Sequence, residues 1–214
     1  MAEALHLNPS SQSLRIGDSA PSFAARSTVG PVELDDYRGK WVAFFSHPAD
    51  FTPVCTSEFV ALAKRESEFA ERGCALIGLS VDSLFSHLAW LRLIRDKFDV
   101  EVRFPLLEDP TMVVGRAYGM IAGDDADSAT IRSTYFIDPT GIIRAISTYP
   151  ANVGRSISEM LRLLDALQAA DREGALVPAD WLRGEPLLKQ TSTSLDDVFE
   201  SAEAGGWFTE KHRP

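Results

Sequence analysis

The chain has 214 residues, 45% of them apolar, with ordinary glycine and proline counts, enough to bury one substantial core and unlike disordered or fibrous compositions. Its 31 acidic residues outnumber 21 basic ones for a formal charge of -10, which opposes binding to nucleic acid or to an anionic membrane surface. Two cysteines make no disulfide framework, so in a reducing compartment their interest is reactivity.

In chain order, the opening "MAEALHLNPSSQSLRIGD" has neither a basic nor an apolar targeting region, and no stretch approaches the apolar length of a membrane span. A cytoplasmic location is expected. The runs "WVAFFS" (41–46), "CALIGLS" (74–80), "VRFPLL" (102–107), "STYFID" (133–138) and "IIRAIST" (142–148) are rich in β-branched and aromatic residues and bounded by turn signals, and predict strands. Between the first two, Phe59, Leu62, Ala63, Glu66, Phe69 and Ala70 recur at helical spacing up to a stop at Gly73. "SLFSHLAWLRLIRDKF" (83–98) and "SISEMLRLLDALQAAD" (156–171) predict two more helices.

This order, closing with a hairpin at "DPTG" (138–141) and a final helix, predicts an α/β thioredoxin-like fold, a mixed central sheet flanked by helices. One domain is expected over 15–170. From 171 to 214 proline, glycine and serine interrupt every periodicity, and the segment is too short for its own core. It reads as a C-terminal arm that buries Trp181, Trp207 and Phe208 on another subunit.

The densest chemistry lies in "HPADFTPVCTSEF" (47–59). Thr52 suits an N-cap and Pro53 the first helical position, placing Cys55 third, in the turn whose amides lack helical partners. The thiolate is the reactive form, and an ordinary thiol is mostly protonated at neutral pH. A helix terminus contributes only about 0.3 to 1 kcal/mol, so a permanent cation is also needed. Arg132, before "STYFID", and Arg155, in "YPANVGR", are the candidates.

Pro48, Thr52 and Cys55 form P-x-x-x-T-x-x-C, and "LSVDS", "SHLAW", "RSTYFIDPTG" and "YPANVGRSISE" follow in order. From about residue 15 to about residue 187 the chain resembles the peroxiredoxins (AhpC/TSA family), in their one-cysteine branch. The resemblance implies a thiol-dependent peroxidase acting on hydrogen peroxide and organic hydroperoxides. Cys55 would become a sulfenic acid, Thr52 would bind the peroxide, Pro48 would shield the pocket, and Arg132 would hold the thiolate and polarise the O–O bond. Arg155 matches the supporting arginine and His47 the histidine of this branch. A homodimer built through the arm is also implied, with a ring of dimers left open.

Two departures refine that expectation. Val177, in "ALVPADW", stands where two-cysteine relatives place a resolving cysteine, so the reductant is an external thiol. Lys40, in "YRGKWVAFF", replaces the serine tied to phospholipase activity in some relatives, and that activity is not carried over. Cys74 opens an apolar strand and reads as an inert core thiol. Four histidines without paired spacing and two separated cysteines predict no metal site and no cofactor. The acidic loop "AGDDADSAT" (122–130) lacks calcium-loop spacing and reads as a solvated surface loop. A redox-responsive chaperone or peroxide sensor using the same cysteine is the alternative.

Overall fold

The computed structural model describes residues 13–121, 129–191, 193–200 and 206–212. Most of the acidic loop, 122–128, lies outside them, as does the Trp207 side chain. The chain divides between Arg155 and Ser156 into two compact units.

The first unit holds a seven-stranded mixed sheet. Its strands are β1 (Ala24–Ser27), β2 (Gly30–Glu33), β3 (Trp41–Ser46), β4 (Cys74–Ser80), β5 (Leu106–Glu108), β6 (Arg132–Ile137) and β7 (Ile143–Tyr149), in the order β2-β1-β5-β4-β3-β6-β7. All six residues of β3 are buried, as expected of a strand covered on both faces. It pairs in parallel with β4 from Trp41↔Cys74 to Ser46↔Leu79, and antiparallel with β6. Alternation of side chains sends Val42 and Phe44 to one face, where they join Ile77, Leu79, Leu107, Tyr135 and Tyr118. Phe45 points the other way, its ring 5.8 Å from both Phe59 and Phe104.

Helix α1 (Pro53–Glu71) connects β3 to β4, α2 (Leu84–Phe98) connects β4 to β5, and a short α3 (Val113–Ala117) follows β5. Ser83 caps α2, its side chain accepting from the Ser86 amide, and Asp99 ends it in the left-handed region. Strand β5 is shorter than "VRFPLL" predicts. Pro105 has no N–H, so its carbonyl accepts from Gly78 while regular pairing starts at Leu106. The β1–β2 hairpin was not predicted, its strands being four residues each.

The second unit begins with α4 (Ile157–Glu173), whose Ser156 cap accepts from the Glu159 amide and whose Gly174 end has φ 57°. Strands β8 (Leu187–Leu188) and β9 (Lys211–His212) pair antiparallel, and α5 (Leu195–Glu200) and α6 (Gly206–Thr209) lie between them in sequence. The expectation that Trp181 awaits another subunit is corrected. Trp181 is buried among Ala166, Ala169, Ala175 and Leu187 of its own unit, and its indole N–H donates to the Glu185 carbonyl at 2.9 Å. Leu195, Phe199 and Phe208 remain 71%, 78% and 51% exposed. Among the described residues no helix is long and apolar enough to cross a membrane.

Candidate active site

The parallel β3–β4 pair aims the loop after β3 back across the sheet, and α1 starts from it. Phe51 takes a left-handed conformation, φ 57°, which turns the chain into the helix. Thr52 occupies the N-cap position with an extended backbone and Pro53 opens the helix. The side-chain cap expected of Thr52 is absent: its hydroxyl donates to the Ala49 carbonyl at 2.9 Å. The first amides of α1 therefore stay without a side-chain cap beside Cys55, which is fully buried. Pro48 is half-buried in the same loop.

Arg132, the first residue of β6, reaches this point from across the sheet. One guanidinium nitrogen, Nη1, donates to Cys55 Sγ at 3.3 Å and to Glu58 Oε2 at 2.8 Å. Its Nε and Nη2 are anchored on the Ala151 carbonyl at 3.1 and 2.8 Å. Glu58, one turn beyond Cys55 on α1, joins the two arginines found by sequence. Its Oε1 accepts from the Arg155 backbone N–H and Nε at 2.7 and 2.9 Å, and its Oε2 from Arg155 Nη2 at 2.8 Å. Arg155 also donates to the Ser133 carbonyl and lies 4.9 Å over the Phe45 ring. It thus acts on Glu58, which shares Arg132 with the thiol.

Burial would push the Glu58 carboxyl up, but the hydrogen bonds and charge of Arg155, with the charge of Arg132, outweigh it and hold the group below its ordinary value. A depressed carboxylate stabilises the fold above the unfolded value, near 4.3, and loses that stabilisation as pH falls through the folded one. Glu58→Gln is expected to lower unfolding free energy by about 3–5 kcal/mol, since two buried guanidiniums lose their carboxylate. Urea denaturation at neutral pH measures this, and the difference from wild type shrinks on acidification.

His47 directly follows β3 and is fully buried, packed on Phe59 and stacked on Trp90 at a ring separation of 5.2 Å. Its Nε2 lies 3.0 Å from Asp50 Oδ1, and His87 Nδ1 lies 2.8 Å from Asp50 Oδ2. Sequence spacing did not reveal that His47, Asp50 and Asp82 place ligand atoms within 4.8 Å of one another. Both Asp50 oxygens are already engaged by the imidazoles, and Asp82 Oδ2 by the Asp50 amide and the Ser80 hydroxyl. The trio is a hydrogen-bonded support for the loop that carries Pro48.

Residues 16–146 match the AhpC/TSA family and residues 166–201 match the C-terminal domain of 1-Cys peroxiredoxin. The chain is a member of the peroxiredoxin family. It is 54% identical over 169 residues to a peroxiredoxin of Aquifex aeolicus, covering 78% of this chain and 76% of that one. A peroxiredoxin 2 of Caldanaerobacter subterraneus is 48% identical over 81% of this chain and 79% of its own. Among solved structures, a yeast mitochondrial 1-Cys peroxiredoxin, described with a thiol-resolving mechanism via glutathione/thioredoxin systems, aligns with a TM-score of 0.83 at 38% identity. It covers 94% of this chain and all of that one. A cysteine-to-serine mutant of peroxiredoxin 6 from Arenicola marina aligns at 0.82 with 30% identity, over 94% of this chain and 98% of its own. The protein is accordingly a thiol peroxidase with the thioredoxin-like fold of that family.

This peroxiredoxin keeps its second thiol far from the first. Cys74 pairs with Trp41 at the end of the sheet opposite the loop after β3. The helix between them runs from Cys55 to Glu71, about 24 Å at 1.5 Å per residue. A disulfide needs Cα atoms within about 7 Å. Burial pushes the Cys74 thiol up to about 12, and Val177 packs half-buried beside the Trp181 cluster. Sequence reasoning missed Glu58, Asp50 and His87 as parts of the site. The only local signals were the helical spacing of Glu58 from Cys55 and the three-residue step from His47 to Asp50.

Proposed function

We propose that Cys55 is the peroxidatic nucleophile of a one-cysteine cycle. The reading rests on Arg132 Nη1, 3.3 Å from Cys55 Sγ in a buried cluster. Among the described residues that cluster holds two guanidiniums against one carboxylate, Glu58, an imbalance that a thiolate at Cys55 neutralises. The thiolate attacks the distal oxygen of a hydroperoxide. An S–O bond forms, the O–O bond breaks, and the departing oxygen takes back from solvent the proton that the Cys55 thiol gave up on ionising, leaving as water or an alcohol.

Charge moves from sulfur to oxygen in that step, so fixed N–H donors act best in the transition state. Arg132 Nη1 donates at the sulfur end of that step. Thr52 supports substrate binding in a defined sense: its hydroxyl proton is committed to Ala49, which leaves the oxygen to accept from a peroxide O–H. Pro48 excludes water without presenting an N–H, Arg155 holds Glu58, and His47 supports the loop. Sulfenic acid is then reduced by an external thiol, which attacks sulfur and displaces water, and a second thiol releases Cys55. The thiol class is that named for the yeast neighbour, a glutathione-type monothiol or a thioredoxin-type dithiol.

Residues 15–170 would form the peroxidase domain of a cytoplasmic protein and 171–214 an arm that joins two copies, with peroxide and thiol as its only small partners. Exposure of Leu195 and Phe199 supports the arm. The double variant Leu195→Glu, Phe199→Glu should halve the mass seen by light scattering; an unaltered mass removes the arm from assembly. The catalytic reading is tested by peroxide loss with and without added thiol. One turnover per chain without thiol and continuous loss with it are expected, and multiple turnovers without thiol contradict it.

A further inference from the structure

Three buried side chains behind the site form a line from α2 to the loop after β3: His87, Asp50 and His47. Their protonation follows from their partners. His87 Nε2 is 3.2 Å from the Leu107 carbonyl, which can only accept, so that nitrogen carries a hydrogen. Burial would raise Asp50, but hydrogen bonds and charge from both imidazoles outweigh it and hold the group well below the usual carboxylate range. Asp50 therefore accepts as well, and His87 Nδ1 also carries a hydrogen. Both ring nitrogens of His87 thus face acceptors, one of them the Asp50 carboxylate.

His47 differs. Its Nε2 faces the other oxygen of Asp50 and donates, while its Nδ1 is buried without a partner among the described residues. Burial, with the charges of His87 and Arg155, outweighs the pull of Asp50 and lowers the affinity of His47 for a further proton. We propose that His87 is a positioning residue: it carries the cation that balances Asp50, so that His47 stays neutral with Nε2 protonated and Nδ1 a bare acceptor. This goes beyond, and rests on, the reading that His47 supports the peroxidase site. An unpaired buried acceptor is destabilising, so the arrangement is maintained against stability, as functional sites often are.

Removing the His87 charge should make His47 take its place. Among the described residues Asp50 then has His47 as its one facing imidazole, and a second proton on His47 restores neutrality. Among the described residues the other charged groups around the line are Asp82, which accepts from the Asp50 amide, Glu108, which accepts from the Leu84 amide near His87, and Arg26, which binds Glu108.

The test is nitrogen NMR of ring-labelled histidine in the reduced, resting protein. In wild type at neutral pH, His87 should show both nitrogens protonated and His47 only Nε2. In His87→Leu the His47 titration midpoint should rise by about one unit or more. His87→Asn, which keeps a donor toward Asp50 but no charge, should show the same rise, and it guards against misfolding of the leucine variant. A bare nitrogen on wild-type His87, or a His47 midpoint unmoved in the folded asparagine variant, overturns the proposal. Because no peroxide is added, the result is independent of whether Cys55 proves to be the nucleophile.

Discussion

Cys55→Ser is expected to abolish peroxide consumption, whereas Cys74→Ser retains most of it. The two thiols are chemically opposed. Cys55 stands in the first turn of α1 with a permanent cation donating to its sulfur at 3.3 Å. Cys74 is buried at the start of β4, and burial pushes it up to about 12, which leaves almost none of it ionised at neutral pH. A serine hydroxyl at position 55 keeps the volume but is a far weaker nucleophile without a general base beside it. Steady-state peroxide loss with excess thiol measures both variants, and equal losses would overturn the assignment.

Arg132→Met is expected to slow oxidation of Cys55 by about 100- to 1,000-fold, the usual effect of removing one fixed donor from a developing charge. Methionine fills much of the arginine stem but loses every donor to Cys55, Glu58 and Ala151. The remaining cation, Arg155, is held by Glu58 and touches the Ser133 carbonyl instead of the sulfur. Rapid-mixing measurement of the oxidation rate checks this. A loss within a few-fold of wild type would mean that the helix terminus suffices. Circular dichroism separates a catalytic loss from unfolding, since Glu58 keeps its Arg155 partner.

Local chemistry explains which parts were legible beforehand. Pro53 and Cys55 fall where the N-terminal pattern of α1 put them, and Ser83 caps α2 at the predicted start, because caps and helical periods are written within a few residues. Strand β3 was legible for the same reason, being an unbroken buried run. The Pro105 interruption of β5 shows the opposite case, where a single missing N–H decides the pairing. Arg132 and Arg155 were found only through their offsets from family motifs, because nothing near them in sequence says that 77 residues of separation close to 3.3 Å at Cys55. Glu58 and His87 were missed as site residues for that reason: their partners, Arg155 and Asp50, lie 97 and 37 residues away. Trp181 misled in the other direction, since an aromatic in a turn-rich segment looked unpartnered and instead packs on its own unit.

The most direct test is intact-mass detection with a sulfenic-acid trap after adding an equimolar amount of hydrogen peroxide to reduced protein, in wild type and in Cys74→Ser. Rapid, stoichiometric trapping on Cys55 is expected in both. An intramolecular disulfide in wild type, or no trapping in either, would contradict a one-cysteine peroxidase built on Cys55.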